Sequence, residues 1–349
     1  MRQIYRSIRF ILIALSATLL VVACQPTTVE QSPEVTADCR IVNHELGETQ
    51  ICGQPQKVAV ISPHLLDNIL ALGVQPAAFA QAVSPGIEAF DNPIEQIPYI
   101  GKWVTTQPIG LGSRNTPSLE RLKRLQPDLI LGEPWQKSQY SLLSQIAPTL
   151  LFNEKGTPNE IESWQQNIIE VAKALGREDK LKALLAAHDA QIAKARTALL
   201  PVLKAYPRVF LMSTNVGLTQ PKSGSDTSLL RLLQEIGFKI IPPPGFTGSR
   251  VPLSWEVIPD IEADLIIVAA WDDDLALNPE DSRPESSMEA TWAKDPLLNS
   301  MPLFQQGRVL FGDYYLWGGV TRGPLSDQLI LESLPDLLLP TVKETKSGA

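Results

Sequence analysis

Aromatic and arginine side chains gather in this sequence just after, or between, short apolar runs. They are Trp103, Arg114, Trp135, Tyr140, Phe246, Arg250, Tyr314, Tyr315, Trp317 and Arg322. A guanidinium is a planar fork that grips carboxylate or hydroxamate oxygens in pairs, and ring faces cover the body of a bulky ligand. Such a set is expected to hold a polar, anionic and fairly large molecule. The competing expectation is that some of the tryptophans fill cores and some of the arginines sit on the surface. Catalytic motifs are missing: there is no Gly-x-Ser-x-Gly elbow, phosphate loop, His-Glu-x-x-His or dinucleotide fingerprint. The acidic run Asp272-Asp273-Asp274 is the one hint of a metal-dependent hydrolase. No histidine accompanies it, so a solvated loop is expected there. The only histidines are His44, His64 and His188. They are too scattered to form a zinc or manganese site, so no metal ligands and no enzyme activity are expected.

The element that must position these loops is a long helical stretch from Asn159 to about Tyr206. Leu181, Leu184, Leu185, His188, Ile192, Ala195 and Leu199 fall on one stripe at helical spacing. Gly176 and the Arg-Glu-Asp after it split the stretch into a shorter helix and a longer one of about 25 residues, roughly 35 Å. Alternating strands and helices flank it on both sides. Before it, strands are expected at Lys57–Ile61, Val74–Ala80, Ile97–Gly101, Asp128–Gly132 and Thr149–Phe152. After it, they are expected at Arg208–Met212, Phe238–Ile241, Asp264–Val268 and Arg308–Phe311, with helices at Thr227–Ile236 and Pro324–Leu338. The halves share a grammar. A helix ending in Leu72-Gly73 recurs as one ending in Ile236-Gly237. The spacing from Glu120 to Asp128-Leu129-Ile130 recurs from Glu256 to Asp264-Leu265-Ile266. Two α/β lobes with a cleft lined by post-strand loops are the expectation.

The 349 residues carry a net charge of −8 and no long basic run, which argues against nucleic acid as a partner. Basic residues concentrate at Arg2, Arg6 and Arg9, ahead of the apolar run Phe10–Ala23. This is the layout of a secretory signal. Leu20-Val21-Val22-Ala23-Cys24 resembles a lipobox, making Cys24 the expected lipidation site and the polar stretch after it a tether. An exported chain permits a disulfide, and Cys39 with Cys52 is expected to staple a hairpin turning at Leu46-Gly47.

The chain resembles the substrate-binding proteins of ABC importers for iron(III)-siderophores and cobalamin. The resemblance runs from about Cys39 to Leu338. It is carried by Val58–Pro76, Ile100-Gly101 through Gly132, Ile146–Thr149, the long helix and Met301–Leu334, with Ser118-Leu119-Glu120 and Gln126–Ile130 the most specific part. It implies an α/β clamshell of the class III periplasmic-binding-protein type: two Rossmann-like lobes joined by a single long rigid helix. The implied divisions are a signal peptide over 1–24, a tether over 25–38, a first lobe with its hairpin over 39–156, a linking helical segment over 157–205, a second lobe over 206–340 and a polar tail over 341–349. Arg114 resembles the arginine that contacts iron-ligating oxygens, in a slightly longer loop, and Trp317 resembles the aromatic of the last cleft loop. Trp103, Trp135, Tyr140, Arg250 and Arg322 complete the expected ligand set. Glu120 and Glu256 resemble the glutamates, one per lobe, that dock onto the permease dimer. The implied protein is a lipid-anchored monomer at the extracytoplasmic face of a bacterial membrane. It would carry a ferric siderophore, of hydroxamate or citrate type, and need no cofactor. Cobalamin and haem are the alternative cargoes.

Overall fold

The computed structural model describes residues 38–81, 86–153, 164–219, 221–223, 228–242, 251–271, 284–319 and 321–344. Cys24 with its signal and tether, Phe246, Arg250, Asp272–Asp274 and the end of the polar tail lie outside them. Met1–Asp38 is one unit, and Cys39–Ala349 forms a second, compact one. The second unit begins with an antiparallel hairpin, β1 (Cys39–His44) and β2 (Gly47–Cys52). Cys39 pairs with Cys52 in register and the two form a disulfide. Expectation and structure agree here.

The first lobe is built on β3 (Val58–Val60), helix α1 (Pro63–Ala71), β4 (Pro76–Gln81), β5 (Ile109–Ser113), α2 (Leu119–Leu125), β6 (Leu129–Gly132) and β7 (Thr149–Leu151). Its strands are all parallel, in the order β5-β4-β3-β6-β7. The strand expected at Ile97–Gly101 is not there. Pro93–Gln96 and Gly101–Trp103 are short helical turns instead, and the third strand is β5. Pro98 has no backbone N–H to give to a sheet ladder. Gly101 passes so close to Pro93 that a Cβ would meet its carbonyl oxygen at 2.0 Å. Ile97 and Ile100 are buried as anchors of this loop.

Helices α3 (Trp164–Leu175) and α4 (Glu178–Ala198) carry the chain to the second lobe. Gly176, at φ +61°, closes α3 with an Arg177 N–H donated to Ala172 O at 2.8 Å. Helix α4 has 21 residues rather than about 25, because Pro201 opens a separate turn at Leu200–Ala205. The second lobe contains β8 (Arg208–Asn215), β9 (Lys222–Ser223), α5 (Ser228–Ile236), β10 (Lys239–Ile240), β11 (Val251–Pro252), β12 (Leu265–Trp271), α6 (Pro284–Lys294), β13 (Val309–Asp313), the turn α7 (Tyr314–Trp317) and α8 (Pro324–Glu344). Strands β10, β8, β12 and β13 run parallel and match β4, β3, β6 and β7. The antiparallel strands β9 and β11 extend the sheet from β8.

The repeat seen in sequence has a structural counterpart. Gly73 and Gly237 both take positive φ, each followed by an N–H that reaches back five residues, Val74 to Ile69 and Phe238 to Leu233. The aspartate before each inner strand staples the start of its neighbour. Asp128 accepts from Lys57 N at 2.9 Å, and Asp264 accepts from Arg208 N at 2.8 Å. These paired staples set the register of β6 on β3 and of β12 on β8.

The stripe on α4 divides between the lobes. Leu181, Leu184 and Leu185 pack against the first lobe's core, whereas Ile192, Ala195 and Leu199 belong to the second lobe's core. His188 lies at the crossover and is buried. Its Nε2 is 3.1 Å from Asp327 Oδ2 on α8, the same oxygen that accepts from Trp164 Nε1 at 2.8 Å. One turn away, the buried Asp67 of α1 caps α8. It accepts from Leu325 N at 2.9 Å, Ser326 N at 2.8 Å and Ser326 Oγ at 2.6 Å. Gly323 permits this approach, since a Cβ there would stand 2.3 Å from the Asp67 carboxylate. This polar knot ties both lobes to the linking helices.

Candidate functional site

The carboxyl ends of the two sheets face each other. Tyr99 of the first lobe donates its hydroxyl to Asp313 Oδ2 of the second at 2.6 Å, and its ring stacks on Tyr315 with centroids 6.2 Å apart. Asp313 ends β13, and its other carboxylate oxygen caps α7 by accepting from Tyr315 N at 2.8 Å. One side chain therefore both orients Tyr315 and ties the lobes. Tyr99 holds a left-handed backbone, φ +62°, costly for a residue with a Cβ. Burial raises the pKa of both tyrosines. Asp313 adds to the effect at Tyr99, and the Arg114 guanidinium opposes it at Tyr315. Both hydroxyls stay protonated at neutral pH and can donate.

Arg114 emerges directly from β5. Its N–H donates to Gln81 O at 2.8 Å, and Gln136 Nε2 donates to its carbonyl at 2.6 Å. Gln139 likewise donates to Asn115 O at 3.1 Å, so the turn after β6 pins the Arg114 loop. The half-buried guanidinium is 3.7 Å from the carboxylate of Glu133, and that carboxylate is 3.6 Å from His64 Nε2 at the start of α1. The Arg114 side chain thus lies between a carboxylate of its own lobe and Tyr315 of the other. Trp135, after β6, is 55% exposed on the same carboxyl-end side. Trp271, the last residue of β12, packs its ring 5.2 Å from that of Tyr314, with the Lys222 ammonium 5.8 Å away. Among the described residues these groups offer a floor of rings and hydroxyls around one guanidinium. That is a surface for an oxygen-rich ligand with flat or apolar parts.

The other residues expected here from sequence are placed differently. Trp317 is only 7% exposed and belongs to the second lobe's core. Its ring covers Gly312 so closely that a Cβ there would be 2.6 Å from it. Arg322 is 1% exposed and braces α7. It donates from Nη2 to Trp317 O at 3.1 Å and from Nη1 to Leu316 O, placing its charge at the negative end of the turn. Both side chains are turned to protein groups in this arrangement. Trp103 packs half-buried against the first lobe's core with Lys102 over its ring. Its carbonyl accepts from Gln75, the residue before β4, at the amino end of the sheet. Tyr140 packs on His44 of the hairpin, ring centroids 5.8 Å apart. Arg250 lies outside the described residues.

Tyr99, Glu133, Trp271 and Asp313 were not singled out by the sequence reading. Trp271 was obscured because the strand runs to it, beyond the Val268 at which sequence patterning ended it. Tyr99 was hidden by the strand expected over Ile97–Gly101.

Glu120 and Glu256 are both exposed, each the second residue of its helical turn. Ser118 caps the first turn by accepting from Arg121 N at 3.3 Å, and Glu120 pairs with Arg124 at 2.7 Å. Glu256 accepts from the Ser254 hydroxyl.

Comparison with known proteins agrees with this geometry. The model of the family described as periplasmic binding protein matches residues 58–316. The Fe(3+)-citrate-binding protein YfmC of Bacillus subtilis is 25% identical, the match covering 80% of each chain. Among solved structures, a periplasmic solute binding protein from Mycobacterium smegmatis superposes with a TM-score of 0.68 at 20% identity, covering 87% of this chain and 99% of that one. SirA of Staphylococcus aureus, complexed with staphyloferrin B, gives 0.67 at 22% identity, covering 86% and 98%. These likenesses show the two-lobed clamshell fold.

Proposed function

The chain belongs to the periplasmic binding protein family, and from that premise we propose that it is the extracytoplasmic, lipid-anchored solute-binding protein of an ABC importer, carrying an iron(III)-siderophore of hydroxamate or citrate type. It works as a carrier and not as an enzyme. It takes the ferric chelate between the lobes and hands it to a membrane permease.

The observation that carries this reading is the cleft itself. Post-strand segments of both sheets contribute to it, with Arg114 and Trp135 in the first lobe and the Tyr99–Tyr315 ring pair spanning the lobes. Ferric chelates of this type present carboxylate and hydroxamate oxygens around the metal. The guanidinium and the Tyr315 phenol supply donors for those oxygens, and rings cover the organic backbone. The relative named for Fe(3+)-citrate supports the citrate side of the assignment. Arg114 and Trp135 keep their assigned ligand roles, joined by Tyr99, Tyr315 and Trp271. Arg250 is retained on its sequence position alone. The lobe boundaries at about 156 and 206 follow the two sheets, and Cys24 is the lipidation site.

Glu120 and Glu256 dock on the permease dimer, one from each lobe of a monomer. Their exposure and matched positions support this role. Because α4 packs into both cores, closure on the cargo is small, as a continuous helix resists bending where crossing strands would hinge.

Tryptophan-fluorescence titration at fixed salt tests the cargo. A ferric citrate-hydroxamate should quench saturably, and Arg114→Ala should weaken it by about tenfold or more, the worth of a charge-assisted pair of hydrogen bonds. Saturable quenching by haem or cobalamin alone would overturn the assignment, and equal affinity in wild type and Arg114→Ala would remove Arg114 from the site.

A further inference from the structure

Anion recognition by Arg114 does not by itself require a buried carboxylate at its side, yet Glu133 is there. Glu133 follows β6 directly and is 4% exposed. It stands 3.7 Å from Nη1 of Arg114 and 3.6 Å from His64 Nε2. The same turn also holds the Arg114 main chain. Gln136 Oε1 accepts from Glu133 N at 2.7 Å while Gln136 Nε2 donates to Arg114 O at 2.6 Å. Backbone and side chain of Arg114 are thus referred to one segment, Glu133–Gln136. A separation of 3.7 Å orients a guanidinium by charge without consuming one of its hydrogen-bond donors. Across the cleft the Asp313 carboxylate is also fixed, by Tyr99 and by the start of α7. The guanidinium therefore operates beside one immobile carboxylate, with a second held on the facing lobe.

Resting on the cleft reading above and narrowing it to the hydroxamate or mixed citrate-hydroxamate side, we propose that Glu133 is a positioning residue that aims Arg114 into the cleft and offsets its charge, so that the site selects such ferric chelates of low net charge over ferric tris-catecholate trianions. A neutral chelate uses the donors of Arg114 and feels little of the neighbouring carboxylates. A trianion uses the same donors but is repelled by Glu133 and Asp313. In a partly desolvated cleft that repulsion is stronger than in bulk water.

The test compares dissociation constants of a ferric trihydroxamate and a ferric tris-catecholate for the full-length protein and three variants, at one salt concentration. Glu133→Gln should shift the affinity ratio toward the tris-catecholate by about tenfold or more, the effect of deleting one nearby negative charge. Glu133→Asp keeps the charge and should hold the ratio within about twofold of wild type. A melting curve establishes that each variant folds. If Gln and Asp weaken both ligands equally, Glu133 is only structural and the inference is overturned. If Arg114→Ala leaves both affinities unchanged, the cleft reading falls and takes the inference with it. If Arg114→Ala weakens binding while Glu133→Gln leaves the ratio unmoved, the inference about Glu133 alone is overturned. A salt series on the wild-type protein needs no variant: added salt should favour the tris-catecholate relative to the trihydroxamate, and the opposite trend would contradict the proposal.

Discussion

Two places join the lobes, and both are built from carboxylates, rings and hydrogen-bond donors. At the knot around α8, Asp67 accepts three hydrogen bonds from one helix start, and Asp327 receives Trp164 and His188 within a fully buried setting. At the cleft, Asp313 stands beside Tyr99 and the buried Glu133 beside a partly exposed Arg114, with an ion pair at 3.7 Å rather than at hydrogen-bonding distance. The same chemistry does opposite work. Buried and densely hydrogen-bonded, it fixes one geometry; beside a partly exposed guanidinium, it leaves donors for a cargo. The lobes are therefore expected to be stiff at the knot and adjustable at the cleft.

Breaking the knot should have the largest consequence. Asp327→Ala leaves His188 and the Trp164 N–H without their common partner, and should cost about 3–5 kcal/mol in urea unfolding. A loss below about 1 kcal/mol would mean that the knot is not the stiff end of the comparison.

The second effect is one of pH. Burial pushes the Asp67 carboxyl up to about 7 from an ordinary 3.8, outweighing the hydrogen bonds that pull it down. Between those values the native state holds a proton that the unfolded chain has released. The contribution of this group to stability is thus full below about pH 4 and falls as the pH rises toward about 7, by about 1.4 kcal/mol per unit. Asp67→Asn cannot titrate and should abolish that slope. Wild-type and Asn stability curves that run parallel across this range would rule out the effect.

At the cleft the numbers shrink. Tyr99→Phe removes the bond to Asp313, which should cost about 0.5–1.5 kcal/mol and widen the ligand-free protein in solution scattering. An unchanged scattering curve would show that the latch does not hold the lobes. Smallest of all in stability is the pair Glu120→Ala and Glu256→Ala, expected within about 0.5 kcal/mol because both side chains are exposed. Their effect belongs to transport: ligand binding should be spared and uptake reduced. Normal uptake in the double variant would end their docking role.

Two residues expected at the site show how burial divides side chains that look alike in sequence. Trp317 and Arg322 have the types a ligand pocket uses, yet one fills a core and the other braces the turn that carries Tyr315. Residue type could not separate these cases, since tryptophan and arginine satisfy a buried cradle as well as a ligand. Arg114 was singled out by its resemblance to a family arginine in the loop before Glu120, while the strand β5 that ends beside it was not expected. Glu133 and Asp313 were invisible as a pair, since their significance lies in what they face across space.

The sequence alone determined the alternation of strand and helix, the repeated Leu-Gly and Glu-Asp spacings, and the continuous apolar stripe on the linking helix. Those features are local, written in the periodicity of burial and in turn chemistry within a few residues. Only the tertiary structure decided that Tyr99 meets Asp313, that Glu133 stands behind Arg114, and that Asp67 caps a helix beginning at Pro324. Such contacts join segments far apart in the chain, and their energies depend on burial and distance, which no spacing of letters encodes.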